Sequence, residues 1–181
     1  MFSAEINRTR GKADLYRDLA ASLVGLLGGE TDALANLANA SGLLAQALER
    51  INWCGFYLAR GQELVLGPFQ GKPACVRIPF GRGVCGTAGQ RRETLVVPDV
   101  DVFEGHIACD ADSRSEIVVP ILDGGQLLGV LDVDSPEKNR FDAVDKEGLE
   151  VFVRTLVPLV NWSSLRRDGR GDGETGRRGE T

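Results

Sequence analysis

The order of elements along the chain predicts an α+β fold, a central antiparallel sheet with N- and C-terminal helices packed on one side. Three observations carry this expectation. Leucines recur at helical spacing through the first third, β-branched and aromatic residues fill short segments in the middle, and helical spacing returns near the end. There is no internal repeat, and 181 residues favour a single domain.

From Ala13 the residues Leu15, Leu19, Leu23 and Leu26 mark one helix, stopped by Gly28-Gly29. Thr31 or Asp32 caps a second, with Leu34, Leu37, Ser41, Leu44 and Leu48 as its stripe. Trp53 to Ala59 and Glu63 to Phe69 read as a hairpin turned at Arg60-Gly61-Gln62. Cys75 to Phe80 is a further short strand. Gly81 to Gly89 is a glycine-rich turn entering a short helix, and Thr94 to Val97 is a strand stopped by Pro98. Residues 99 to 114 form an acidic loop around Cys109. A second hairpin joins Ile117–Leu122 to Gln126–Val133 through Asp123-Gly124-Gly125. The last helix opens at Asp142 and shows Leu149, Phe152, Val153, Leu156 and Val160 on one side, with Pro158 breaking its end.

The domain predicted from these elements runs from 13 to 165, after an N-terminal extension over 1–12. Residues 166–181 hold five Arg, four acids, five Gly and no apolar anchor, the composition of a disordered tail. Setting the tail aside leaves 16 basic and 22 acidic residues. A body this acidic argues against a nucleic-acid binder and for a small molecule or a protein partner. The N-terminus shows no signal-peptide pattern and no apolar stretch spans a bilayer, so the expectation is a soluble cytoplasmic chain. Its four cysteines are then read first as reduced thiols.

A single His excludes a multi-histidine metal site, and no Cys-x-x-Cys pair supports structural zinc, so no metal is expected. Cys54 alternates with Phe56 and Leu58 and reads as a core thiol. Cys85 lies where a glycine-rich turn feeds a helix. It is either a thiol whose pKa the amide donors lower or a small residue packed under the turn. Cys75 and Cys109 fall in loop or edge positions. Asp110 and Asp112 would raise the pKa of Cys109, while Arg114 and His106 offset them. His106 is otherwise read as a solvated loop residue.

Asp132 and Asp134 share one face of a strand, and Glu116 stands at the start of its hairpin partner, so all three can converge on one pocket. The plainer reading is that the two Asp mark a strand end before Ser135-Pro136. A divalent metal is a third and weaker one, lacking any other signature. Trp53 and Tyr57 also share a face, either as a ligand wall or as ordinary core.

Several segments together carry a resemblance. They are Asn-Trp-Cys-Gly-Phe-Tyr (52–57), Leu-Gly-Pro-Phe-Gln-Gly (66–71), Gly-Arg-Gly-Val-Cys-Gly-Thr-Ala (81–88), Val-Pro-Asp-Val (97–100), His-Ile-Ala-Cys-Asp (106–110), Ser-Arg-Ser-Glu-Ile-Val-Val-Pro (113–120) and Gly-Val-Leu-Asp-Val-Asp-Ser (129–135). With them the chain resembles the free methionine-(R)-sulfoxide reductases, a branch of the GAF-domain family. The resemblance implies a GAF-like domain and reduction of the R epimer of free methionine sulfoxide. It implies Cys109 as nucleophile, Cys75 as resolving thiol and Cys85 as auxiliary thiol. Glu116, Asp132 and Asp134 would hold the substrate amino group and the sulfoxide oxygen, with Trp53 and Tyr57 around the methyl–sulfur end. It further implies no bound cofactor, recycling by thioredoxin or another dithiol, and a possible homodimer. Amide donors of the 81–86 turn are placed to take the substrate carboxylate.

Two other classes are weighed against the reductase. A GAF module that only binds and senses a small ligand needs no thiols, but an output domain is not evident in the sequence. A structural zinc protein would carry stoichiometric metal, which the cysteine spacing disfavours.

Overall fold

A computed structural model describes residues 11–105 and 111–165. Six strands form one antiparallel sheet: β1 (Trp53–Arg60), β2 (Glu63–Gln70), β3 (Arg77–Pro79), β4 (Leu95–Val97), β5 (Ser115–Asp123) and β6 (Gln126–Ser135). Their order is β3-β2-β1-β6-β5-β4, so the chain's first and last long strands lie side by side at the centre. Four helices complete the domain: α1 (Lys12–Leu27), α2 (Ala33–Ala47), α3 (Gly83–Arg91) and α4 (Ala143–Leu156).

Strand alternation divides the interior in two. Cys54, Phe56 and Leu58 of β1, Ile117, Val119 and Ile121 of β5, and Leu131 and Val133 of β6 face one way. There they pack against Leu19, Leu23, Leu37, Leu44, Leu149, Phe152 and Leu156 of α1, α2 and α4. The opposite parity, Trp53, Tyr57, Val118 and Val130, packs against Val84, Cys85 and Ala88 of α3 and against Val97 and Val100. The N- and C-terminal helices therefore share one face, as the sequence predicts, and α3 alone covers part of the other. That second, thinner layer is where polar side chains gather.

Local chemistry explains most boundaries. Asp32, not Thr31, caps α2 by accepting from the Ala35 amide at 2.8 Å. Asp142 caps α4 and forms a reciprocal capping box with Asp145. The β5–β6 hairpin turns on Gly124 and Gly125, both at positive φ (53° and 83°), as a two-residue turn requires. Pro158 ends α4 at Leu156, and the chain continues as a 3-10 turn over Val157–Leu159.

Three expectations change in detail. Leu34 is not part of the buried stripe of α2: it is 59% exposed in the first turn, and Ala33, Leu37, Ala40 and Leu44 form the buried face. The strand predicted over Cys75–Phe80 shortens to Arg77–Pro79, because only three residues find partners on β2. The strand predicted from Thr94 begins at Leu95. The predicted extension and tail lie largely outside the described residues.

One polar cluster sits among the helices. Asp145 is 1% exposed and accepts from Tyr16 (2.8 Å), Lys12 (2.5 Å), Arg140 (3.1 Å) and the Asp142 amide (2.9 Å). It ties α1 to α4. A buried cluster of this kind is costly to break, because it leaves charges without partners. Asp145→Ala should destabilise the protein by about 3 kcal/mol in urea denaturation.

Candidate active site

Strand register builds the site. Glu116 on β5 pairs with Asp134 on β6, and Asp134 pairs across its other side with Trp53 on β1. One step along, Val118, Asp132 and Gly55 align in the same way, followed by Val130 and Tyr57. All these residues project to the α3 face. β6 does end at Ser135, beside half-exposed Asp134, as the plainer reading has it, but that reading leaves the burial of Asp132 within the strand unexplained.

α3 brings Cys85 down onto this patch. Its Sγ lies 3.8 Å from Glu116 Oε1, and one ligand atom each from Cys85, Glu116 and Asp132 falls within 4.8 Å of the others. All three side chains are buried. Burial and the neighbouring acids push the Glu116 carboxyl well above the usual carboxylate range. Asp132, also raised chiefly by burial, moves up to about 6. The Cys85 thiol rises for the same reasons: burial first, then Asp132 and Glu116. Its position in the first turn of α3 does not produce the lowered pKa that the helix-end reading predicts, because burial, with two adjacent acids added to it, outweighs a few amide dipoles. Asp132 Oδ1 has no hydrogen-bond partner among the described residues.

Trp53 and Tyr57 wall this patch and hold the segment that carries Cys75. Tyr57 OH donates to the Cys75 carbonyl at 3.0 Å, and Trp53 Nε1 donates to the Lys72 carbonyl at 3.1 Å. Trp53 stacks on Tyr57 (centroids 5.9 Å) and on Phe69 (5.3 Å). Phe69 reaches the stack because it pairs with Gly55, where an added Cβ would lie 2.3 Å from Phe69 Cβ. Cys75 is half-buried and disulfide-bonded, whereas Cys54 and Cys85 are free thiols. Lys72 also forms an ion pair with Asp112, and Asn52 Nδ2 donates to Ser113 Oγ at 3.0 Å. The chain just beyond residues 106–110 is thus fastened to the same end of the sheet.

The GAF-domain profile matches residues 17–157. The chain belongs to the GAF-domain family. The Escherichia coli protein named free methionine-R-sulfoxide reductase is 55% identical over 162 residues, covering 90% of this chain and 96% of that one. The Saccharomyces cerevisiae protein of the same name is 45% identical over 172 residues, covering 91% of each. A crystal structure of the Neisseria meningitidis free methionine-R-sulfoxide reductase in complex with its substrate superposes with a TM-score of 0.85 at 44% identity. That match covers 91% of this chain and 99% of the other.

Within this GAF domain, Glu116, Asp132, Cys85, Trp53 and Tyr57 come together as one buried patch, with Asp134 at its half-exposed rim. Cys75 lies beside it through the Tyr57 contact. Cys109, the expected nucleophile, and His106 lie outside the described residues. Cys54 belongs to the helix-facing core, donates to the Ser41 carbonyl at 3.5 Å, and has its pKa pushed up to about 12, chiefly by burial. It is a buried core thiol, as its strand parity predicts. In the 81–86 turn, the Gly81 and Arg82 amides are already bonded to Gly86 and Pro79 carbonyls. The donors left by helix geometry are the first-turn amides of Gly83, Val84 and Cys85. Phe69 is the wall residue that sequence reasoning missed. The signal was a glycine facing an aromatic across a hairpin, legible once the register is known.

The raised carboxyls set a pH dependence. Asp132 keeps a proton in the folded chain that the unfolded chain releases near its ordinary value of 3.8. Folding stability should therefore fall as pH rises from about 3.8 to about 6, with Glu116 extending the decline upward. Urea denaturation across this range should show that slope, and Asp132→Asn should flatten its lower part.

Proposed function

We propose that this chain reduces free L-methionine-(R)-S-oxide to L-methionine. The observation that carries the reading is the buried Glu116–Asp132–Cys85 cluster beneath Trp53 and Tyr57, next to a disulfide-bonded Cys75. The names of the E. coli and yeast relatives and the substrate complex of the Neisseria enzyme support it.

A sulfoxide sulfur resists attack until its oxygen is protonated. Glu116, whose carboxyl burial and the neighbouring acids hold well above the usual range, supplies that proton. The Cys109 thiolate attacks sulfur, the oxygen passes to Cys109 as a sulfenic acid, and methionine leaves. The Cys75 thiol then displaces water from the sulfenic acid to form a disulfide. Disulfide-bonded Cys75 supports a resolving role for this residue, and Cys54 and Cys85 are free thiols. Cys85, a neutral thiol against Glu116, is an auxiliary group that donates to the acid. Thioredoxin or another dithiol restores the two thiols, and no bound cofactor enters the cycle.

The substrate's ammonium group suits Asp134 and the unpartnered Oδ1 of Asp132, and its carboxylate suits the first-turn amides of α3. Recognising both free termini excludes peptides. Trp53, stiffened by Tyr57 and Phe69, walls the methyl–sulfur end. A cytoplasmic, thiol-reducing setting fits this chemistry, and homodimerisation is compatible with it. Among the described residues, no helix is long and apolar enough to cross a membrane.

With dithiothreitol as reductant, the chain should convert free R-sulfoxide and leave the S epimer and peptide-bound methionine sulfoxide untouched. Cys109→Ser should abolish turnover, while Cys75→Ser should release one methionine per chain when no reductant is added and should be recycled poorly by thioredoxin. Full multiple turnover by Cys109→Ser would sink the reading. Binding without consumption and without a thiol requirement would move the assignment to a ligand-sensing GAF module. Asp132→Asn should raise KM by about 10- to 100-fold, the loss expected for one hydrogen bond to a charged group.

A further inference from the structure

The geometry points to a second kind of occupant for the cluster, a thiophilic divalent cation such as Zn²⁺ held by Cys85, Glu116 and Asp132. The inference rests on the reading of this patch as the substrate's cation cage. It makes the cation a competitor of the substrate.

The donor set carries it. A thiol and two carboxylates offer one ligand atom each within 4.8 Å of one another. With a Zn–S bond of about 2.3 Å and Zn–O near 2.1 Å, a tetrahedral ion separates sulfur from oxygen by about 3.6 Å. The Cys85–Glu116 separation is 3.8 Å, so that edge of the tetrahedron needs little movement. The donors sit on three different rigid elements, α3, β5 and β6, whose relative placement is fixed by core packing on both sides of the sheet. Asp132 adds a second observation, at the one carboxyl oxygen not used in its hydrogen bonds with Cys85 and Glu116. It is 6% exposed, yet its Oδ1 has no hydrogen-bond partner among the described residues, leaving a buried acceptor with a lone pair to give.

Binding releases the thiol and carboxyl protons to solvent and leaves a cage of charge −3 around a +2 ion. Three protein ligands leave a fourth position open, as in metal sites that exchange a ligand. Soft metals prefer this set because of its sulfur, whereas Mg²⁺ and Ca²⁺ would not be retained. A cation seated here occupies Glu116 and Asp132, the two buried acids assigned to substrate.

Cobalt(II) is the probe, because a thiolate ligand gives it a near-ultraviolet charge-transfer band that needs no turnover to be seen. The reduced, chelator-stripped chain should develop that band and saturate at one equivalent. Cys85→Ser should lose the band, whereas Cys109→Ser and Cys75→Ser should keep it. Glu116→Gln, which retains the thiol and the fold of the site, should weaken cobalt binding at least tenfold. Excess free methionine sulfoxide added to Cys109→Ser, which cannot consume it, should displace the band. Absence of the band in the wild-type chain overturns the proposal. So does a band that survives Cys85→Ser and vanishes with Cys109→Ser, which would place the metal on the other thiols. If the band behaves as stated but no sulfoxide is reduced, the metal site stands and the reductase assignment fails. If the chain reduces sulfoxide and no band forms, the reverse holds.

Discussion

The cost of burying carboxyl groups beside one another governs this structure. Antiparallel register sets Glu116 opposite Asp134 and Asp132 one step further along β6, and α3 then closes Cys85 over them. Water cannot screen that arrangement, so the protein relieves it by keeping protons on groups that would ordinarily lose them. Glu116 and Asp132 are both raised, and the Cys85 thiol with them. A site made in this way favours the protonated form of its acids and also holds acceptors that a cation can take. Both properties come from one constraint.

The two faces of the sheet divide the work. The helix-covered face spends its polar groups on architecture: Asp145 joins α1 to α4, Asn36 Nδ2 donates to the Glu30 and Leu159 carbonyls, and Cys54 stays a buried core thiol. The opposite face is thin, covered by one short helix and loops, and there Glu116, Asp132 and Cys85 gather. Trp53 and Tyr57 connect the layers. They stand on the central strand, bond to the backbone at Lys72 and Cys75, and so place the segment carrying disulfide-bonded Cys75 at the edge of the acid cluster without a rigid element of its own.

Much of this was legible in the sequence. Two-residue alternation puts Asp132 with Asp134 and Trp53 with Tyr57, and the Gly124-Gly125 turn fixes the hairpin that carries Glu116 to them. Asp142 and Asp32 announce their helices through capping chemistry. What spacing cannot show is how α3 docks. Cys85 and Glu116 are 31 residues apart in sequence, so their contact depends on helix placement against the sheet. The pKa of Cys85 therefore went opposite to the helix-end reading. Leu34 misled for a similar reason: periodicity locates an apolar residue on a helix but does not say which arc of the first turn faces the core. The Phe69–Gly55 pairing is set by register, which the two-strand pattern alone leaves open.

The measurement that tests the neutral-acid cage most directly is an infrared difference spectrum between the reduced wild-type chain and Glu116→Gln at neutral pH. A protonated carboxyl C=O band present in the wild type and missing from the variant is the expected result. If both spectra show carboxylate bands only, Glu116 is ionised in the folded protein. The proton source assigned to sulfoxide reduction would then not exist at that position.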